Sequence, residues 1–119
     1  MRFFISFLLT VCFLFSCTNA SEEDLINIEN PEVITYVEHI KPIIDNNCII
    51  CHGNPPASGA SISLTTYDEV VSAINSNELI DRISRQPGEA GAMPLGGPRL
   101  PQHLIDLMIQ WEEEGFVNE

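Results

Sequence analysis

Basic residues are scarce in this chain: five Lys and Arg stand against 17 Asp and Glu over 119 residues, a formal net charge of −12 at pH 7. Nucleic-acid binding through an electropositive patch is thereby excluded, because phosphate contacts need clustered Lys and Arg. No apolar run reaches the ~20 residues that span a bilayer as a helix; the stretch from Phe3 to Phe15 stops short of it. The apolar–polar alternation that marks strands is missing, and so are internal repeats. Histidine and cysteine are few, at three and four residues. Where each of them stands therefore matters.

Residues 1–16 carry Arg2 as their only charge, followed by the apolar run Phe3–Phe15. That pattern suits the apolar region of an export signal. It closes on Leu14-Phe15-Ser16-Cys17, which resembles the lipobox of bacterial lipoproteins, although Phe15 is bulkier than the residue usual at that place. The resemblance implies cleavage before Cys17 and diacylation of that cysteine. It also implies a chain held on the cell membrane or outer membrane, facing the periplasm or the cell exterior. Two acyl chains anchor stably where one is marginal. Cys12 falls in the discarded segment. The remaining 103 residues carry four basic and 17 acidic side chains, a formal −13. Such a surface is well solvated and steers basic partners at low salt.

From Cys17 to Asn30 the composition is Asn, Ala, Ser, Glu and Asp, with little to bury, and reads as a flexible tether. Its Ser21-Glu22-Glu23-Asp24 cluster resembles the export tags of some bacterial surface lipoproteins. Residues 31–119 read as one small all-α domain. Asn30-Pro31-Glu32 has the cap, proline and acid of a helix start. Val33, Val37, Ile40 and Ile44 then recur at helical spacing. Pro42 interrupts them. Either the helix kinks there, or residues 33–39 are looser and the helix begins near Ile40. A Gly-, Pro- and Ser-rich loop follows at 53–65. Thr66 opens a helix to about Ile74 with Val70, Val71 and Ile74 inward, and Glu78 to Ser84 forms another around Leu79, Ile80 and Ile83. After a second Gly- and Pro-rich stretch at 86–99, Pro101 starts the last helix. Its stripe is Leu104, Ile105, Met108 and Trp111, and Gly115 is its stop.

Chemistry concentrates in Cys48-Ile49-Ile50-Cys51-His52. Two thiols three positions apart with an imidazole next to them is the pattern that anchors haem covalently. Each thiol adds across a haem vinyl group, and His52 then serves as the proximal axial ligand. The same residues alone also describe a structural disulfide, a thioredoxin-like redox pair or half a zinc site. Zinc takes four ligands, yet no further cysteine remains outside the signal and lipid positions. A thioredoxin-like pair sits in a βαβ setting, which nothing strand-rich provides here. Export strengthens the haem reading, because bacteria attach haem covalently outside the cytoplasmic membrane.

Met93 lies in Gly91-Ala92-Met93-Pro94-Leu95-Gly96-Gly97-Pro98, a loop that no helix tolerates. A methionine exposed between glycines and a proline lacks a packing role; as a thioether closing a sixth iron position it has one. Met108, on a helical stripe, reads as core. His103 and His39 are the rival sixth ligands, and each suits a surface or capping position. The remaining cations are Lys41, Arg82, Arg85 and Arg99. Of these, Arg82 and Arg99 are the candidates for contacts to haem propionates. Glu112, Glu113 and Glu114 offer a docking face for a basic partner.

Taken in order, Ile40-Lys41-Pro42-Ile43, Cys48-Ile49-Ile50-Cys51-His52-Gly53, Leu64-Thr65-Thr66-Tyr67-Asp68, Met93-Pro94-Leu95-Gly96-Gly97 and the run from Leu100 to Trp111 and Gly115 resemble the class I c-type cytochromes, in particular small bacterial mono-haem domains. The resemblance spans residues 33–116. It implies several helices around one haem c, with the first and last helices crossing and Trp111 at the crossing. It further implies thioether bonds at Cys48 and Cys51, His52 and Met93 on the iron, and one-electron relay to a redox partner protein. An enzyme of peroxidase type and a haem-bearing sensor or accessory subunit are the alternatives. One departure stands out. The proline whose carbonyl orients the proximal histidine in the family lies further along than Pro55 or Pro56, so the acceptor for the far nitrogen of His52 stays open.

Overall fold

The computed structural model describes residues 33–119. A π-helical turn, Tyr36–Ile40, runs directly into α1 (Lys41–Asn47); α2 (Tyr67–Asn77), α3 (Leu79–Ser84) and α4 (Gln102–Glu113) follow. No strand forms among the described residues, so the all-α expectation holds. The signal segment, Cys17, the tether and the expected cap at Asn30-Pro31-Glu32 lie outside the described residues.

Pro42 accounts for the unusual first element. Proline has no N–H to donate, and in a regular α-helix its ring collides with the carbonyl four residues back. Here Ile40 N–H reaches the Thr35 carbonyl at 3.3 Å, and Lys41 N–H reaches the Tyr36 carbonyl, both five residues back. The widened turn moves the backbone away from the ring, and α1 starts with Pro42 in its first turn. The helix thus begins at Tyr36, with the Thr35 side chain accepting from Glu38 N–H. This corrects the expected register. Val33 and Val37 are 48% and 47% exposed, while Ile34, Tyr36, Ile40, Ile43 and Ile44 are buried. A π turn holds an extra residue, which rotates everything before Ile40 relative to α-helical spacing.

Helix α2 carries a full capping box, Thr66 with Glu69, and runs three residues past the expected end at Ile74. Its inward residues are Val70, Ala73 and Ile74; Val71 is only partly buried. Glu78, in the left-handed region at φ +59°, turns the chain straight into α3, which buries Leu79 and Ile83. On α4 the buried stripe is Ile105, Met108 and Trp111, with Leu104 at its margin.

The chain's two described ends meet around Trp111. After Gly115, at φ +82°, the tail doubles back. Tyr36 N–H donates to the Val117 carbonyl (2.8 Å), and Val37 N–H to that of Asn118 (3.2 Å). Trp111 Nε1–H also reaches Val117 (2.8 Å), and the Tyr67 hydroxyl reaches Phe116 (2.7 Å). The Tyr36, Tyr67 and Phe116 rings surround the indole at centroid distances of 5.8, 5.9 and 5.0 Å. Glu114 completes the closure by accepting Ile34 N–H at 2.7 Å. The last helix therefore packs against the first helical turn, and Trp111, fully buried, sits where they meet.

Register can be measured directly. Ile40→Ala is expected to lower the unfolding free energy by about 2–5 kcal/mol through lost burial and a residual cavity. Val37→Ser is expected to change it by no more than ~0.5 kcal/mol. Denaturant unfolding of both variants tests this, and equal losses would contradict the inward placement of Ile40 against Val37.

Candidate functional site

Helix α1 delivers the thiols. Cys48 is its C-cap, with N–H bonded to the Ile44 carbonyl at 2.8 Å. Asn46 and Asn47 side-chain amides each donate at 2.7 Å back to the carbonyls of Pro42 and Ile43, four residues earlier in the same helix. One further turn continues from it. Cys51 and His52 N–H groups both return to the Cys48 carbonyl, at 3.2 and 2.9 Å. Cys48, Cys51 and His52 consequently share a single turn, and neither thiol is in a disulfide.

His52 is half-buried, and its ring is fixed. Nδ1–H donates to the Ile62 carbonyl at 2.9 Å, which leaves Nε2 as the nitrogen with a free lone pair. The open question of the histidine's partner is thereby answered by Ile62 rather than by a proline. The His52 backbone takes part as well, its carbonyl accepting Leu64 N–H at 2.8 Å. Ala57 N–H reaches the Cys51 carbonyl at 2.8 Å, so the loop after the motif folds back over the same turn.

Burial pushes the Cys48 thiol up to about 11. Reactive redox thiols have the opposite shift, a lowered pKa in an electropositive setting. This argues against the thioredoxin-like reading, which needs a lowered thiol pKa. Among the described residues no group of three or more His, Cys, Asp or Glu side chains converges as a metal site would.

Met93 is half-buried and packs against the hydrophobic core, as do Cys48, Ile49 and Ile62. That corrects the expectation of an exposed methionine: core contact gives it a packing role of its own. Its loop is held from α3. Met93 N–H donates to the Arg82 carbonyl (3.0 Å), and Arg85 Nη1 donates to Ala90 (2.6 Å). Arg82 Nη1 lies 3.5 Å from the Gly91 carbonyl. A Cβ on Gly91 would meet the two guanidinium groups at 2.5 and 2.8 Å and push them aside, and φ +78° is a conformation that favours glycine.

The two propionate candidates hold backbone instead. Arg82 Nε donates to Asn77 (3.1 Å) and pairs with Glu78 (3.5 Å); Arg99 Nε donates to Ser84 (3.1 Å) and Nη2 to Gln102 (2.8 Å). Their visible work is to fasten loops to α3, and the propionate assignment gains no support from these contacts. Of the rival histidines, His39 Nδ1 accepts Thr35 N–H at 3.1 Å in the first helical turn, and His103 is exposed on α4. Glu114, expected at a docking face, is taken by Ile34.

Two surface hollows lie elsewhere. One of about 450 Å³ is beside Asp81, Ser84, Arg85, Glu89 and Ala90; the other, of about 350 Å³, is beside Ile62, Ser63, Asp68, Glu69, Ser72 and Asn77. Neither is lined by Cys48, Cys51, His52 or Met93, so the site is defined by its hydrogen bonds and burial. Among the described residues the most exposed large apolar side chains flank the two expected ligand positions: Ile50 at 84% and Leu95 at 76%. No protein-family model, curated protein or solved structure matches the chain.

A pH dependence follows for the haem-free chain. The Cys48 thiol is raised from 9.0 to about 11. Its contribution to stability is whole below pH 9 and is lost as pH climbs through about 11, because the unfolded thiol ionises first. Cys48→Ala is expected to flatten the alkaline loss by on the order of 2 kcal/mol. Urea unfolding from pH 8 to 11 measures it, and parallel curves for the two proteins would contradict it.

Proposed function

We propose that this chain is an exported one-electron carrier. It holds one c-type haem through Cys48 and Cys51, with His52 and Met93 on the iron, in a class I cytochrome c fold anchored to a membrane by lipid on Cys17. The observation that carries the reading is His52 itself. Its Nδ1–H is taken by the Ile62 carbonyl at 2.9 Å, on the same turn as two unpaired thiols. Histidines that bind metal almost always donate their other ring N–H in this way, which fixes the tautomer and raises the basicity of the ligating nitrogen.

The residues present fit the group. Two unpaired thiols on one turn match two vinyl groups on one macrocycle edge. Bound haem supplies a one-electron iron couple. The chain's own residues orient and insulate it. His52 is held from the loop side, and Met93 is held from α3 through the Arg82 carbonyl and the Arg85 guanidinium. A ring held at Nδ1 and a methionine held by its backbone would change little between oxidation states, which would favour relay over turnover. Ile50 and Leu95 give the site apolar contact surface. The chain's net acidic charge suits a partner with a basic docking face.

Maturation in a bacterial periplasm that attaches haem tests the reading. The purified protein is expected to show a covalent c-type spectrum in alkaline pyridine, and replacing both Cys48 and Cys51 by Ala is expected to abolish it. Met93→Ala should retain the haem and bind cyanide readily where the native protein resists it. A Met93→Ala protein that excludes cyanide as the native one does would assign the sixth position to another residue.

Membrane attachment is a separate expectation. Cys17→Ala should move the protein from the membrane fraction to the soluble one after cell breakage. Retention in the membrane fraction would rule out the lipid anchor.

A further inference from the structure

Residues 62–66 form a strap between two anchors, with successive residues tied to opposite sides. Ile62 and Leu64 face His52: the Ile62 carbonyl accepts the imidazole N–H at 2.9 Å, and Leu64 N–H donates to the His52 carbonyl at 2.8 Å. Ser63 and Thr65 face the other way, toward Glu69. A single carboxylate oxygen, Oε2 of Glu69, accepts Ser63 Oγ–H (3.0 Å), Thr65 N–H (2.7 Å), Thr65 Oγ1–H (2.9 Å) and Thr66 N–H (3.0 Å). This alternation of partners along the segment is a double stitching.

Capping explains only part of the arrangement. A capping box needs one bond from the acid to the N-cap backbone, here Thr66 N–H, with the return bond from Glu69 N–H to Thr66 Oγ1 at 3.3 Å. The three donors from Ser63 and Thr65 are surplus to that. They lie on the residues just beyond Ile62 and on either side of Leu64. Hydrogen bonds to an ionised acceptor are shorter and stronger than neutral ones, and these hold the Glu69 carboxyl below the usual carboxylate range, the Thr65 hydroxyl contributing most. Glu69 stands in the first turn of α2, beside the fully buried Val70, so its anchor is the core itself.

We propose that Glu69 is a positioning residue for His52, clamping the 62–66 strap so that the Ile62 carbonyl keeps the imidazole hydrogen bond short, and thereby tuning the potential of the haem site. The inference rests on the haem reading above. A firm bond at Nδ1 raises the electron donation of Nε2 and favours the oxidised iron. Loosening the strap weakens that donation and moves the potential upward. Removing a negative charge moves it the same way, so potential alone does not separate the two causes.

The test compares the haem-loaded native protein with Glu69→Ala, Glu69→Gln and Asp68→Asn. Asp68 is the exposed neighbour, and its substitution removes the same charge without touching the strap. Two quantities are read: solvent exchange of the His52 Nδ1 proton by 15N NMR, and the midpoint potential. Glu69→Ala is expected to speed exchange on the order of tenfold, the factor that follows from losing about one net hydrogen bond of local stability. Its potential should rise further than that of Asp68→Asn, whose exchange rate stays native. Glu69→Gln keeps an acceptor oxygen and should recover part of the protection. If Glu69→Ala fails to fold, Glu69→Gln and Ser63→Ala carry the comparison, each with faster exchange than the native protein. Native exchange in every strap variant, or equal potentials for Glu69→Ala and Asp68→Asn, would overturn the positioning role while leaving the haem reading intact. A native chain that carries no haem would overturn both.

Discussion

The hydrogen bond between the His52 imidazole and the Ile62 carbonyl is the constraint on which the rest of the site depends. The segment after the motif, residues 53–66, has no regular secondary structure to hold it. What gives it shape is attachment at His52 and Cys51 on one side and at Glu69 on the other. In return, that segment sets the tautomer and direction of the imidazole. Local backbone order and the orientation of the His52 imidazole are therefore one problem in this chain. A loop without its own ladder of hydrogen bonds costs conformational entropy to fix, and here it is offset by charge-assisted bonds to a single carboxylate.

The second expected ligand is supported differently. Met93 hangs from α3 by backbone and by two arginines, with Gly91 between the guanidinium groups. Helix α3 is short, and it is held in turn by Leu79 and Ile83 in the core and by its packing on α2 and α4. On the proposed reading, one ligand is fixed from the α1–α2 side and the other from α3. The aromatic cluster around Trp111 and the returning tail at Val117 close the first turn onto the last helix. Substitutions at either support are then expected to affect different ligands.

Much of this was legible in the residues. The helix opening at Thr66, the stripe ending at Trp111 and the stop at Gly115 each follow from local rules, and each stands where those rules put it. Less legible were features that depend on backbone atoms. A carbonyl such as that of Ile62 carries no sequence signature, since every residue has one. The π turn could be read only as an interruption at Pro42, so Val33 and Val37 were assigned to the face that Ile34 and Tyr36 occupy. Charge marks Arg82 and Arg99 in the sequence, whereas their Nε–H groups are spent on the last carbonyls of α2 and α3. The hydroxyls of Ser63 and Thr65 lie in a loop rich in small polar residues and stand out from it only once the folded path brings them to Glu69.

The account's central claim is that the Cys48–His52 turn carries haem. Intact-mass measurement of the chain matured in a haem-attaching periplasm, with thiol alkylation before and after reduction, tests it most directly. The claim predicts a mass gain of one haem, with no alkylation at Cys48 or Cys51 in either state. An unmodified mass at that turn, with both thiols alkylated, would contradict it.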